Sequence, residues 1–287
     1  MFAFQDSTKK TMRTYLRAFH LFCTHFSLPF YPVTKETHMA YLAFLSRSLT
    51  SFTSVRNYLN ILSHINKSLG YSCAFLGDYD SQLATRAVRR LLGDITARKH
   101  AMTVDILLQI LPHLDPGNIF HTCMAALFLV GFFSFLRISD LVPRTLRDIY
   151  NSHPLFLKRS DVRFSPRGAV LSVARTKTIQ FNQRLLKIPL PIIPGSPLCP
   201  VSALRLYLHR VPAEPYLPLF GLYVNNQYRP ILAHHYTSFI KKAVSSLGLD
   251  PRNYSSHSFR RGDASFALNN RAPTEFIKSH GDRKSVV

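Results

Sequence analysis

The chain has 287 residues, of which 46% are hydrophobic and 18% charged, a composition typical of a globular protein and not of a disordered or fibrous one. Its 36 Lys and Arg against 15 Asp and Glu give a formal net charge of +21. Residues 1–100 carry 13 basic and 5 acidic residues and residues 101–287 carry 23 and 10, so the excess is not confined to a tail and favours a polyanionic partner, first of all nucleic acid. An anionic membrane surface is the alternative, but it usually shows as one polybasic cluster or a basic amphipathic helix.

Four helices are predicted in the first 95 residues. In residues 6–26 the apolar positions alternate spacings of four and three, which is one face of an amphipathic helix. Thr34 is a suitable cap for a second helix, and a third stops at Gly70, because glycine tolerates the left-handed backbone at a helix end. The fourth helix, "QLATRAVRRLLG", is strongly basic. These elements indicate a small helical bundle with basic edges.

The stretch "DITARKHAMT" is polar and basic between two apolar regions and predicts a linker at residues 96–101. It would separate a helical domain at residues 1–95 from a second domain at residues 102–287. In the second domain helical patterns are followed by strand-like alternation in "GAVLSVAR" and an extended "RLLKIPLP", with "TKTIQFNQ" as the hairpin tip between them. Two more helices follow. The predicted fold class is mainly α with a small antiparallel β-sheet (α+β).

The stretch "PGNIFHTCMAALFLVGFFSFL", residues 116–136, contains no formally charged residue over about the length of a membrane span. It opens with Pro-Gly-Asn, includes His121 and Thr122, and runs directly into "RISDL". Its densely apolar part therefore has the length of a buried helix. We interpret it as the central core helix and expect no membrane association.

Several classes of site are not indicated by the sequence. There is no Walker A loop, no G-x-G-x-x-G, no H-E-x-x-H and no G-x-S-x-G. The four cysteines are far apart with no C-x-x-C pair, so neither a zinc ribbon nor a disulfide framework is expected. The N-terminal "MFAFQDSTKK" lacks the apolar segment of a secretory signal. We expect an intracellular, nuclear protein without a metal ion.

Five residues stand in contexts that could support chemistry. Arg137 directly follows the apolar run in "FLRISDL" with Asp140 three residues on, Lys177 lies in the hairpin tip, and His257 and Arg260 share a helical face in "SHSFRRG". Each also has an ordinary interpretation: a surface ion pair, a solvated turn lysine, and a chance His-x-x-Arg in a basic protein. Their order along the chain distinguishes the interpretations.

The motif "GFFSFLRISDL", then a lysine in "TKT", then "HSFRRG", after a basic helical N-terminal domain, resembles the tyrosine recombinase (phage integrase) family. It is most similar to the recombinases of eukaryotic mobile elements. The resemblance covers nearly the whole chain, with residues 1–95 like the core-binding domain and residues 102–287 like the catalytic domain. It implies breakage and rejoining of double-stranded DNA through a phosphotyrosine intermediate, self-association on DNA, and no ATP, metal or other cofactor.

The resemblance also implies a role for each of these residues. Arg137 and Arg260 would donate in pairs to the non-bridging oxygens of the phosphate as charge grows in the transition state. His257 would assist in proton transfer and phosphate binding, and Lys177 would be the general acid for the leaving 5′-oxygen. Asp140 would order the region around Arg137.

The end of the sequence departs from the family pattern. "IKSHGDRKSVV" resembles a turn that normally carries His or Trp, and the matching residue is Arg283, which lacks the aromatic ring. The nucleophilic tyrosine belongs on the following helix, but no tyrosine occurs after Tyr254, which precedes the histidine motif.

We therefore expect the catalytic domain to be C-terminally truncated. A truncated gene model, a decayed mobile element and a protein retained for DNA binding alone all fit this pattern. The two functional hypotheses are a recombinase that is incomplete as given and a catalytically inactive DNA-binding protein derived from a mobile element.

Overall fold

The computed structural model describes residues 6–94, 99–150, 154–176 and 185–280. The chain divides into two compact units, residues 1–97 and residues 98–287. The first is called unit 1 and the second unit 2.

Unit 1 contains the four helices that the apolar periodicity predicts. Thr34 caps the second by accepting a hydrogen bond from the backbone N–H of Thr37, and Ser51 caps the third through the N–H of Ser54. Gly70 follows the third helix with φ of +84°, the left-handed conformation that glycine adopts without strain. The helices are α1 (Asp6–His25), α2 (Lys35–Ser48), α3 (Phe52–Ser68) and α4 (Tyr79–Leu92).

The core of unit 1 is built from aromatic rings and one polar side chain. Phe19 and Tyr41 are fully buried and meet edge to face, with ring centroids 5.1 Å apart. Asn66, also fully buried, accepts a hydrogen bond from the backbone N–H of Val33 at 2.9 Å and donates to the carbonyls of Val33 and Ser72. This amide pins the loop between α1 and α2 against the end of α3.

Unit 2 is mostly helical and includes two small antiparallel sheets. The strand order of the first sheet is β1-β2-β3, and β4 and β5 form a separate hairpin. The predicted fold class is therefore confirmed. The helices are α5 (Val104–Ile110), α6 (Ile119–Ser134), α7 (Ile138–Leu141), α8 (Pro200–Arg210), α9 (Ala233–Ser246), α10 (Ser256–Asn269) and α11 (Thr274–His280), and the strands are β1 (Val162–Ser165), β2 (Gly168–Val173), β3 (Leu186–Pro191), β4 (Gly221–Val224) and β5 (Gln227–Pro230).

Helix α6 lies at the centre of unit 2, as the apolar run predicts. Asn118 caps it by accepting hydrogen bonds from the N–H groups of Phe120 and His121. From Thr122 onward nearly every side chain is buried, because α6 packs against α8, α10 and β3. None of the helices in the described part of the chain combines the length and apolar character needed to cross a bilayer.

Part of the predicted linker is attached to unit 2. The backbone N–H of His100 donates to the carbonyl of Asn253 at 2.7 Å, and that of Met102 donates to the carbonyl of Ser258 at 2.8 Å. Residues 95–98 lie outside the described ranges. The linker was predicted from polar composition, which carries no information on backbone pairing with a segment about 150 residues further along.

Candidate functional site

The end of α6 carries an unusual backbone conformation. The helix ends at Ser134, and Phe135 follows with φ of 60° and ψ of 12°, in the left-handed region. For a bulky residue this conformation is uncommon and costs of order 1–3 kcal/mol, so it persists only where the surrounding contacts hold it. Phe135 is buried, with 7% of its surface exposed. The turn sets the direction in which the chain enters Arg137, two residues later.

Arg137 directly precedes the short helix α7 as its N-cap residue, and Asp140 holds its backbone. The Arg137 N–H donates to Oδ2 of Asp140 at 3.1 Å, and the Asp140 N–H donates to the Arg137 carbonyl at 2.8 Å. Asp140 is 1% exposed and its own carbonyl accepts from the N–H of Leu157. The carboxylate thus fixes the backbone from which the partly exposed Arg137 side chain extends.

The motif "HSFRRG" forms the first turns of α10 and presents two different faces. Phe259 is buried and packs on Phe128 with ring centroids 5.1 Å apart, while His257 is exposed and Arg260 partly exposed. A Cβ at Gly262 would lie 1.6 Å from the carbonyl oxygen of Met102. Only glycine allows the backbone near Met102 to approach α10 this closely, so Gly262 is required for packing.

Arg260 links α10 to the end of α6. Its Nη1 donates a hydrogen bond to the carbonyl of Phe135, two residues before Arg137. His257 precedes Arg260 by three residues, which places it one helical turn away on the same face. The structure therefore brings Arg260 and the backbone that carries Arg137 together at one end of α6, with His257 beside them on α10.

Two predicted site residues, Lys177 and Arg283, lie outside the described residues. The strands on either side of Lys177 are present, and they pair in an antiparallel register that matches Val173 with Leu186. The predicted hairpin therefore has both its strands. The roles of these two residues remain predictions.

The sequence analysis missed His280, the last residue of α11. Its Nε2 lies 3.2 Å from the carbonyl of Phe133, and its ring meets that of Phe135 at 4.9 Å, nearly edge to face. Burial lowers the pKa of this imidazole, which is 8% exposed. The spacing of three between Ile277 and His280 was the available signal that both lie on the inner face of a short helix.

Tyr254, the last tyrosine in the sequence, is part of the core of unit 2. It is 5% exposed, and its ring meets that of His100 at 5.7 Å. That the 287 residues contain no attacking tyrosine remains a prediction.

Both units carry exposed cations. In α4 they are Arg86, Arg89 and Arg90, of which Arg89 pairs with Asp94. In α9, Lys241 and Lys242 are exposed, and Glu214 is the one acidic residue in the sequence from 162 to 249. Among the residues that the structure describes, no group of three or more His, Cys, Asp or Glu side chains could hold a metal ion.

Comparison with known proteins gives both a sequence relative and structural neighbours. No family model matches the chain. An integrase/recombinase xerD homolog of Selenomonas ruminantium is 24% identical over 269 residues, which cover 91% of this chain and 74% of that protein.

Many solved structures share the fold, among them the following three. A Tn1549 transposon integrase in complex with transposon right end DNA has a TM-score of 0.62 at 13% identity, covering 99% of this chain and 88% of that one. A lambda integrase dimer bound to a COC′ core site has a TM-score of 0.61 at 15% identity, with 99% and 87% covered. The XerH site-specific recombinase bound to a palindromic difH substrate has a TM-score of 0.60 at 12% identity, with 96% and 73% covered. The chain thus has the fold of these integrases and recombinases, and its resemblance to the tyrosine recombinase family is confirmed.

Proposed function

We propose that the chain binds double-stranded DNA and carries the phosphate-binding part of a site-specific recombinase, which breaks and rejoins DNA strands through a phosphotyrosine. The observation that carries the proposal is the bond from Arg260 to the Phe135 carbonyl, which places this guanidinium next to the backbone of Arg137. The net charge of +21 and the shared fold support it.

The chemistry of the proposed site follows from its donors. Two planar guanidinium groups suit a phosphodiester, because each can donate two parallel hydrogen bonds to the non-bridging oxygens. Arg137 is held through its backbone by Asp140 and Arg260 through the Phe135 carbonyl. Groups held in advance stabilise the growing negative charge without reorganisation during the reaction.

The remaining donors complete the proposal. His257, exposed beside Arg260 on α10, would bind the phosphate and assist proton transfer. Lys177 would protonate the leaving 5′-oxygen, and Arg283 would contact the phosphate. By the family resemblance the bond energy is conserved in the covalent link, so neither ATP nor a metal ion takes part.

A catalytically inactive DNA-binding protein on the same fold is the second candidate function. The observation that favours it is the burial of Tyr254, the last tyrosine of the 287 residues, in the core of unit 2. In both candidates the 287 residues bind DNA and surround a phosphate, and the two differ only in the attacking group. A stable phosphodiester-like link to the protein needs an oxygen nucleophile in line with the leaving oxygen.

Self-association on DNA and a nuclear location belong to the same proposal. The lambda integrase structure is that of a dimer on its DNA site, which supports assembly of several copies on one duplex. Sedimentation of the chain with duplexes of increasing length should show a second and further copies binding. A strictly 1:1 complex on every length would contradict this part.

A covalent-adduct assay tests the proposed chemistry. The 287-residue chain, mixed with nicked suicide duplexes and separated under denaturing conditions, should form no protein–DNA adduct. A chain extended beyond Val287 by a tyrosine-bearing helix should form one, and Arg137→Ala or Arg260→Ala should abolish it. An adduct mapped by mass spectrometry to a tyrosine of the unextended chain, Tyr254 first of all, would contradict the assignment of the nucleophile.

A further inference from the structure

We infer that His280 is a positioning residue. It holds the left-handed backbone turn at Phe135 in the conformation that directs Arg260 and Arg137 toward a DNA phosphate. The inference rests on the proposed function and adds to it a side chain that touches neither DNA nor the reacting atoms. Three features of the end of α6 carry it.

The first feature is the hydrogen bond at the helix end. The last carbonyls of an α-helix have no partner within the helix and need a donor from elsewhere when they are buried. The carbonyl of Phe133 is one of these, since α6 ends at Ser134. Because a carbonyl only accepts, the proton of the His280 imidazole lies on Nε2, 3.2 Å away.

The second feature is the packing of α11 against the strained residue. The His280 ring contacts the ring of Phe135 at 4.9 Å, and it also contacts that of Phe276 at 5.0 Å. Ile277, fully buried, joins Phe135 in one small apolar cluster. A single short helix thus supplies both a polar and an apolar contact to the turn, and these contacts offset the cost of the left-handed backbone at Phe135.

The third feature is the link from the turn to the proposed phosphate site. Arg260 donates to the carbonyl of Phe135, and Arg137 follows two residues later. When the donor at Phe133 is removed, the turn relaxes toward a commoner backbone conformation and the Phe135 carbonyl changes direction. The Arg260 guanidinium then loses its hydrogen-bond acceptor, and the backbone direction at Arg137 changes.

The salt dependence of duplex binding measures this effect. The slope of log affinity against log salt concentration, called the salt slope below, reports the number of phosphates contacted. Arg260→Ala should lower the slope by about 0.9, the value for one phosphate. His280→Leu fills the same space without a donor and should lower it by a similar amount. His280→Gln restores a donor and should recover most of the wild-type slope. In the double variant His280→Leu with Arg260→Ala, the loss should not exceed that of Arg260→Ala alone.

Ile240→Val is the matched control, because Ile240 is fully buried in the main core of unit 2 and does not belong to the apolar cluster around Phe135. It should lower the thermal midpoint and leave the slope unchanged. A wild-type slope in His280→Leu, measured where Arg260→Ala does lower the slope, overturns the inference and leaves the proposed function standing. An unchanged slope in Arg260→Ala contradicts the proposed function itself.

A measurement on the unaltered chain covers the case in which His280→Leu does not fold. Nitrogen NMR of the chain with isotope-labelled histidine should show the His280 imidazole with its proton on Nε2. A proton on Nδ1 alone would overturn the inference, since the Phe133 carbonyl would then have no donor from this ring.

Discussion

The two units differ in what their polar side chains hold in place. In unit 1 the Asn66 amide joins a loop to the end of α3, and its partners are backbone groups and the Cys73 sulfur of the same unit. In unit 2, Asp140, Arg260 and His280 come from three helices and all act within five residues at the end of α6. Polar groups that converge on one short, strained segment indicate a functional site, whereas a single amide between loops indicates a scaffold. We therefore expect changes at Asn66 to alter stability alone and changes at the end of α6 to alter phosphate contacts.

The largest expected effect is the loss of unit 2 by Gly262→Ala. The new Cβ would lie 1.6 Å from the Met102 carbonyl oxygen, so the backbone near Met102 must leave α10, at a cost above about 3 kcal/mol. Hydrogen exchange followed by mass spectrometry should show rapid exchange in unit 2 and protection in unit 1. Gly77→Ala, where the added Cβ meets nothing within 4 Å, is the control and should change little. Equal protection of both units in Gly262→Ala would refute the close packing.

Asn66→Ala should produce the converse result in unit 1. It leaves the buried N–H of Val33 without its acceptor, which costs about 1–3 kcal/mol. Urea unfolding should show the loss of stability, while the salt slope of DNA binding under folding conditions stays that of the wild type. A lower slope would show that the loop held by Asn66 contacts DNA, and the contrast between the units would fail.

Acid should weaken both units through one buried histidine in each. Burial lowers the pKa of His38 and of His280, so the unfolded chain takes up these protons near pH 6.5 while the folded chain takes them up only at lower pH. Stability is therefore lost as pH falls below about 6.5. Urea midpoints read by hydrogen exchange between pH 7.5 and 5.5 should fall in each unit. His38→Leu should flatten the profile of unit 1 alone, and a flattened profile in both units would contradict independent titration.

Single exposed cations should have the smallest effects. Arg90→Ala in unit 1 and Lys242→Ala in unit 2 each remove one charge from an exposed helix face, and each should lower the salt slope by at most about 0.9. Neither should change the urea midpoint. A slope that falls for Lys242→Ala but not for Arg90→Ala would restrict the DNA surface to unit 2.

The sequence predicted the elements whose signals are local. Amphipathic periodicity and caps such as Thr34 located the helices of unit 1, and the uncharged run located α6. The hairpin β4–β5 was missed although its turn, Asn225-Asn226, has positive φ at both residues, because Asn-Asn is a weaker turn signal than Asn-Gly. Strand β1 was also missed, because it is only four residues long and its burial pattern shows no alternation.

The residues of the candidate site could be predicted from the sequence, but the contacts that position them could not. The motifs that contain Arg137, His257 and Arg260 are recognisable as short sequence patterns. A left-handed backbone at a phenylalanine contradicts local propensity, and the contact between His280 and Phe133 joins residues 147 positions apart. Such supports follow from tertiary packing, which no sequence window contains.

The most direct test of the central claim compares binding of the chain to duplex DNA and to vesicles of anionic lipid over a range of salt concentrations. We expect preference for DNA, an affinity that falls steeply with salt, and a lower slope in the double variant Arg137→Ala with Arg260→Ala. Binding to DNA that does not depend on salt, an unchanged slope in the double variant, or preference for the anionic vesicles would contradict the proposed DNA binding.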